Sequence, residues 1–303
     1  MSEYRAIAEQ PSRVALVTGA TGFVGSHLVR RLVQDGWQVH IVIRPASVLP
    51  QDPEFMRISA HVHDGTTDGM IHIVGESKPD VVFHLSSLFL AQHQSRDVES
   101  LITSNILFST QLLEAMSAQG ICSLVNTGTS WQHYNNEDYN PVCLYAATKQ
   151  AFEDILAYYT ETSPLRAVTL QLYDTYGPND PRPKLFHLLA KVAKGGETLA
   201  MSPGEQLIDL VYIDDVIEAY FCAARQVARM KNGHQVYAVS SGSPLKLKEL
   251  VTLYEQIIGT SLPIEWGKRP YREREVMLPW NRGKVLEGWT PTISLAEGIR
   301  RIA

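Results

Sequence analysis

Tyr145 and Lys149 could carry acid–base chemistry as a pair. They stand four residues apart in Tyr-Ala-Ala-Thr-Lys at the start of a stretch with helical spacing, which places phenol and ammonium on one face of a helix. A free tyrosine titrates near pH ~10 and exchanges protons poorly at neutrality. A nearby ammonium favours the phenolate, so Lys149 is expected to depress the pKa of Tyr145 and let it trade a proton with a substrate oxygen. A third group must hold that oxygen. Three hydroxyls compete in Val125-Asn-Thr127-Gly128-Thr129-Ser130-Trp131. Thr129 is preferred, because strand alternation and the Gly128 break aim it into a cleft, while Thr127 and Ser130 stay open. Trp131 is a candidate for a substrate-pocket wall, with a core position as its alternative. His133 reads as a surface residue, with a place in the substrate-pocket wall as its alternative.

A second pattern lies at the start of the chain. The apolar run Val14–Val17 leads into Thr18-Gly19-Ala20-Thr21-Gly22-Phe23-Val24-Gly25, and a helical pattern follows. Gly19 permits a sharp turn off a strand, Gly22 lets backbone N–H groups approach a pyrophosphate, and Gly25 lets the helix lie close to the strand. The helix N-terminus adds unpaired donors and the positive end of its dipole. The turn residues Thr21, Phe23 and Val24 are therefore expected against a dinucleotide. Arg44 ends the second apolar run, where an acid would select the ribose of NAD and an arginine suits the 2′-phosphate of NADP. NADP(H) is expected, with NAD(H) the alternative. Asp64 with Gly65, at the end of the third run, is a candidate for the adenine amino group, and a solvated loop carboxylate is the other reading. Leu85, Ser86 and Ser87 follow the fourth run and should pass near the cofactor, because ligands bind outside the carboxyl ends of parallel strands.

These residues need a scaffold. Apolar runs at Val14–Thr18, Val39–Ile43, Ile58–Val62, Val81–Leu85, Leu124–Thr127 and Ala167–Tyr173 are nearly continuous, as strands are when both faces are covered. Amphipathic stretches separate them. The alternation predicts an α/β fold with a doubly wound parallel sheet over 13–173. After Tyr173 the pattern turns mixed. A helix is expected over Lys184–Lys194, a strand over Leu207–Ile213 with a helix opened by Asp214-Asp215, a strand over Val236–Val239 and a helix over Leu247–Ile258. This second lobe, 174–303, is expected to bind substrate and to return some elements to the first sheet. Residues 1–12 read as a loose tail.

The 303 residues are 45% hydrophobic and 19% charged, with a net charge of -5. That suits a large globular core and gives no basic stripe for nucleic acid. Three cysteines without a C-x-x-C read as free thiols in a reducing compartment. With no leader pattern and no apolar run long enough for a bilayer, a cytoplasmic protein with neither membrane nor nucleic-acid partner is expected.

Together the Thr18–Gly25 motif and the Tyr145/Lys149 pair resemble the extended short-chain dehydrogenase/reductases, in their nucleotide-sugar branch, the NAD-dependent epimerase/dehydratase family. The resemblance extends further. Ser104–Ala115 is similar to the family's helix with a buried active-site Asn, here Asn105. Leu172–Pro178 resembles R-x-F-N-V-Y-G-P, with Gln171 and Asp174 in place of Arg and Asn. Asp209–Asp215 resembles D-F-V-H-V-D-D, with Ile208 where an Arg often stands. Gly288–Pro291 and Leu295–Gly298 resemble its ending.

The resemblance implies a Rossmann-type sheet, a nucleotide-sugar substrate, and a homodimer formed through the helices around Asn105–Met116 and Tyr145–Tyr159. It puts Asn105, Lys149 and Tyr173 near the cofactor. Dehydratases carry Asp-Glu after the catalytic Thr. Ser130-Trp131 stand here instead, which disfavours dehydration. Arg44 disfavours the tightly bound NAD of the 4-epimerases, which remain the alternative. Thr127–His133 and Arg269–Arg274 look most like the 4-ketohexose reductases that make CDP-abequose or CDP-paratose. Arg272 and Arg274 are expected to hold the diphosphate, because guanidinium matches its geometry; a charged exposed loop is the other reading. A non-catalytic NADP sensor would need the glycine motif but not Tyr145 and Lys149.

Overall fold

The continuous apolar runs form one parallel sheet. The computed structural model describes residues 13–195 and 197–303, so the expected tail over 1–12 lies outside the described residues. In chain order the first half contains β1 (Val14–Thr18), α1 (Phe23–Gln34), β2 (Gln38–Ile43), β3 (Ser59–Val62), α2 (Thr67–Ser77) and β4 (Val81–His84). It continues with α3 (Val98–Ile102), a π-helical turn over Thr103–Leu107, α4 (Phe108–Ala118), β5 (Ser123–Thr129), α5 (Leu144–Thr162) and β6 (Arg166–Leu172). The six strands sit within a residue or two of their apolar runs. The π-helical turn was not expected, since the spacing from Leu101 to Leu113 reads as ordinary helix.

The second half contains β7 (Asp174–Tyr176), α6 (Leu185–Ala193), β8 (Leu199–Ala200), β9 (Leu207–Ile208), β10 (Leu210–Tyr212), α7 (Ile213–Arg229) and β11 (Gly233–Val239). It closes with β12 (Leu245–Lys246), α8 (Leu247–Ile258), β13 (Ile264–Glu265) and α9 (Leu295–Arg300). The single strand expected over Leu207–Ile213 is corrected. It breaks at Asp209, whose buried carboxylate accepts from Ser240 Oγ at 2.6 Å and the Ser241 amide at 2.8 Å. β9 pairs antiparallel with β12, β10 pairs parallel with β7, and the helix starts at Ile213 itself.

The seven-stranded sheet has the order β11-β6-β5-β4-β1-β2-β3, and every neighbouring pair is parallel. Helices α1 and α7 cover one face, burying Leu28, Leu32, Val216 and Tyr220 among others. Helices α2, α4 and α5 cover the other through Met70, Leu112, Met116, Phe152 and Leu156. A smaller core joins α6, α8 and α9. The chain reverses its winding between β1 and β4. The connections leaving the carboxyl ends of those two strands therefore run in opposite directions and open the crevice where doubly wound sheets take ligands.

Candidate active site

The glycine turn is dictated by close backbone approach. Gly19 has φ +72°, and a Cβ there would lie 2.6 Å from the Ser86 amide nitrogen and 2.7 Å from the Leu85 carbonyl carbon. A Cβ on Gly25 would collide with the Gly19 carbonyl oxygen. The turn thus lies flat against the end of β4, and α1 starts close beneath it with Gly22 as its cap. A glycine cap leaves the first-turn N–H groups to an outside acceptor, so the cradle fits a dinucleotide pyrophosphate.

Gly19, Gly22, Phe23, Val24 and Gly25 wall one side of a cavity of about 250 Å³. Leu85, Ser87, Thr127, Thr129, Ser130 and Trp131 wall another part, and Tyr145, Lys149 and Tyr173 complete it. The sheet's strand ends and the first turns of α5 therefore bring most of the expected residues together. Thr127 is already engaged: its hydroxyl donates to the His84 carbonyl at 2.8 Å and lies 2.6 Å from the Tyr220 hydroxyl. Thr129 accepts from the Trp131 amide at 3.3 Å, which leaves its own proton to give.

Electrostatics differ from the expectation at Tyr145. Burial holds the phenol above its ordinary value, the Cys143 thiol adds to this, and a hydrogen bond with the Ser87 side chain opposes it. Among the protein's own groups desolvation wins, and the expected depression by Lys149 is not found. Lys149 is itself pushed down to about 8 by burial, against the pull of Glu153. Glu153 is pushed up to about 7 by burial, against a hydrogen bond from Gln132 and the charge of Lys149.

Other expected residues lie outside that cavity. Asn105 is buried behind it and binds the loop after β4: its Oδ1 accepts from the Leu88 amide at 2.7 Å and the Ser87 hydroxyl at 3.2 Å. Ser86 donates its amide to Thr18 Oγ1 at 3.2 Å, and Thr21 is exposed on the turn. Arg44 is exposed at the end of β2. The Asp64 carboxylate accepts from the Thr66 amide and hydroxyl, both at 2.8 Å, just before α2, and the Gly65 carbonyl accepts from Gln111 at 2.9 Å.

The two arginines part company. Arg272 faces the cleft with its guanidinium 5.3 Å from the Trp131 ring, but it holds Glu275 through two bonds of 3.0 and 2.9 Å. Arg274 turns onto the Tyr134 ring at 4.2 Å and donates to Asn140. Trp131 is half-buried in the cleft. His133 is corrected from surface to interior: it is 8% exposed, because its ring stacks on Trp280 at 3.8 Å and its Nε2 meets Gln171 at 2.9 Å.

Several cleft residues carried no readable signal. Phe89 packs edge-on against Tyr145 at 5.0 Å. Lys184 lies 5.9 Å from the Phe89 ring and pairs with Asp174 at 3.2 Å. The Arg182 guanidinium sits 4.4 Å from the Phe23 ring at the cradle. Lys184 and Arg182 fall in a turn-rich segment, Gly177–Lys184, and only its folding back over the strand ends delivers them to the site.

The family model described as the NAD dependent epimerase/dehydratase family matches residues 15–239. A CDP-abequose synthase of Salmonella muenchen is 25% identical over 95% of this chain and 96% of its own length. A UDP-glucose 4-epimerase of Mycolicibacterium smegmatis is 29% identical over 94% of this chain and 96% of its own. The solved structure of a Thermus thermophilus UDP-glucose 4-epimerase with NAD superposes with a TM-score of 0.77 at 25% identity, covering 95% of this chain and 96% of that one.

Proposed function

The chain belongs to the NAD-dependent epimerase/dehydratase family, and from that premise we propose that it reduces the 4-keto group of a nucleoside-diphosphate 4-keto-6-deoxyhexose with NADPH. A CDP-4-keto-3,6-dideoxyhexose is the narrower candidate. The observation that carries this reading is the second cavity, of about 210 Å³, opening beside Ser130. Besides the polar Asp174, Gln206, Asp209, Arg272 and Glu275, its walls include an apolar part formed by Trp131, Val142, Val276, Pro279 and Trp280. A sugar hydroxyl pressed on such a wall without a partner costs about 1–3 kcal/mol, whereas a methyl group or a deoxygenated ring carbon costs nothing. Relatives with CDP-abequose synthase activity and the exposed Arg44 support the same reading of substrate and cofactor.

A bound NADPH supplies the hydride to C4. Tyr145 gives its phenolic proton to the oxygen that becomes the new hydroxyl, and Thr129 donates a hydrogen bond to that oxygen. Lys149 holds the nicotinamide ribose, and its charge offsets the phenolate left behind. Trp131 and Arg272 border the substrate. The same reading has the helices around Asn105–Met116 and Tyr145–Tyr159 pair across a dimer, where Leu107 and Tyr158 are exposed.

The test is the NADPH absorbance on mixing the protein with CDP-, dTDP-, GDP- and UDP-linked 4-keto-6-deoxy sugars, a 3,6-dideoxy member included. Loss of absorbance with one of them is expected and would name the nucleotide. Conversion of a 4-hydroxy sugar without added cofactor would instead establish a 4-epimerase, the activity named for the mycobacterial relative.

A further inference from the structure

Behind the cavity lies a second tier of polar groups that the proposed reaction does not use. Glu153 follows Lys149 by one turn of α5, and the two are 8% and 3% exposed. Gln132, fully buried, stands between this helix and the end of β5. Its Oε1 accepts from the Thr129 amide at 3.0 Å. Its Nε2 donates to Glu153 Oε1 and to Gln150 Oε1, both at 2.9 Å. The orientation of this amide is forced, since a flip would set its NH2 against the Thr129 N–H and its one oxygen against the oxygens of Glu153 and Gln150. Gly128 shows how close the contact is: a Cβ there would lie 3.0 Å from Glu153 Oε1.

We propose that Gln132 and Glu153 are positioning residues of the site, with Gln132 fixing the backbone of Thr129 and the Glu153 carboxylate keeping Lys149 charged. The assignment rests on the reading of Thr129 and Lys149 as working residues. The physical ground is desolvation. A buried ammonium without a counter-charge sheds its proton, and burial already lowers Lys149. The other groups that act on the pair do not replace Glu153. Asp154 acts on Glu153 and raises it further. His84 shares the interior with Lys149 and is held neutral by burial. Tyr145, one turn before Lys149, is held protonated by burial. Glu153 is therefore the carboxyl group that acts on Lys149, one helical turn away and without a direct ion pair, and Gln132 ties it to the strand end that presents Thr129.

The experiment compares the wild type with Glu153→Gln, which keeps volume and can still accept from Gln132. NADPH affinity is followed by cofactor fluorescence against pH. The alkaline loss of affinity should move to lower pH by about one unit or more in the variant, as loss of a buried counter-charge requires. Infrared difference spectra should show a carboxyl band in the wild type that grows as pH falls from alkaline through neutral and is missing in the variant. Superimposable affinity profiles, or a carboxyl band that persists undiminished into the alkaline range where Lys149 sheds its proton, would overturn the role of Glu153. For Gln132→Leu, faster amide hydrogen exchange at Thr129 is expected, and unchanged exchange would overturn that half. None of these readouts needs sugar turnover. A variant shift without turnover of any keto sugar would leave this assignment standing and remove the reductase reading, and the infrared titration decides even if NADPH fails to bind.

Discussion

The side-chain amide of Asn105 donates to the Thr148 hydroxyl at 2.9 Å, joining the π-helical turn before α4 to the residue that precedes Lys149. The remaining capacity of the amide goes to the loop after β4, through the Leu88 amide, the Leu88 carbonyl at 3.0 Å and Ser87. A π-turn widens the helix locally, and here it carries Asn105 inward between the loop and α5. One residue thus sets the loop that carries Ser87 and Phe89 against the helix that carries Tyr145. Asn105→Ala strands the buried Thr148 hydroxyl and the half-buried Leu88 backbone groups, at up to about 1–3 kcal/mol each. It should lower the unfolding midpoint by several degrees and weaken turnover, which calorimetry and steady-state rates together would check.

Tyr145→Phe removes the proton donor and keeps the ring that packs on Phe89. Turnover should fall by about 10²–10⁴-fold, while NADPH binding followed by fluorescence changes little. A fully active Phe variant would sink the assignment.

Gly25→Ala sets a methyl group against the Gly19 carbonyl. The turn and α1 must then separate. The expected result is loss of cofactor binding together with a destabilisation of order 1–3 kcal/mol from overpacking, read from fluorescence titration and urea unfolding. Retained wild-type affinity would show that the cradle does not seat the pyrophosphate.

Arg44→Ser removes the cation at the end of β2. If it meets the 2′-phosphate, the loss of a charge-assisted contact of about 1.5–3 kcal/mol should weaken NADPH by roughly 10–100-fold and leave NADH nearly unchanged. Equal effects on both cofactors would refute the NADP preference.

Acid should destabilise the protein through His84. Burial lowers its pKa from 6.5 to about 3, with the Lys149 charge adding to the effect. Its neutral ring lies 2.8 Å from Thr18 Oγ1 and 2.9 Å from Ser109 Oγ. Because Ser109 gives its proton to the Asn105 carbonyl, His84 Nε2 is the donor and Nδ1 the acceptor. A depressed folded value means that the unfolded chain takes up the proton first as pH falls, so stability declines from about pH 6.5 downward. Burial lowers His234 to about 4, and it acts in the same direction. His84→Asn should be less stable at pH 7 but lose less between pH 6.5 and 4, seen as a flatter urea midpoint against pH.

The cradle, the six leading strands and the Tyr145/Lys149 spacing were legible because each rests on a local pattern. Buried parallel strands are written as continuous apolar runs, and a glycine turn announces itself by spacing. The second lobe was less legible. Strands of two or three residues, such as β7, β8 and β9, leave no periodicity, and the break at Asp209 depends on Ser240 and Ser241 far along the chain.

The sequence by itself thus determined the fold class, the place of the glycine turn and the spacing of the residues that could exchange a proton, all from short-range order. Only the tertiary structure decided which charges face the cleft and how those residues titrate. Arg272 and Arg274 were spent on Glu275 and Asn140, Lys184 and Arg182 arrived from a turn, and His133 was drawn inward by Trp280. Desolvation, not the neighbouring lysine, governs Tyr145. Partners and burial belong to side chains distant in sequence and adjacent in space, and the interior dielectric they create exists only once the chain has folded.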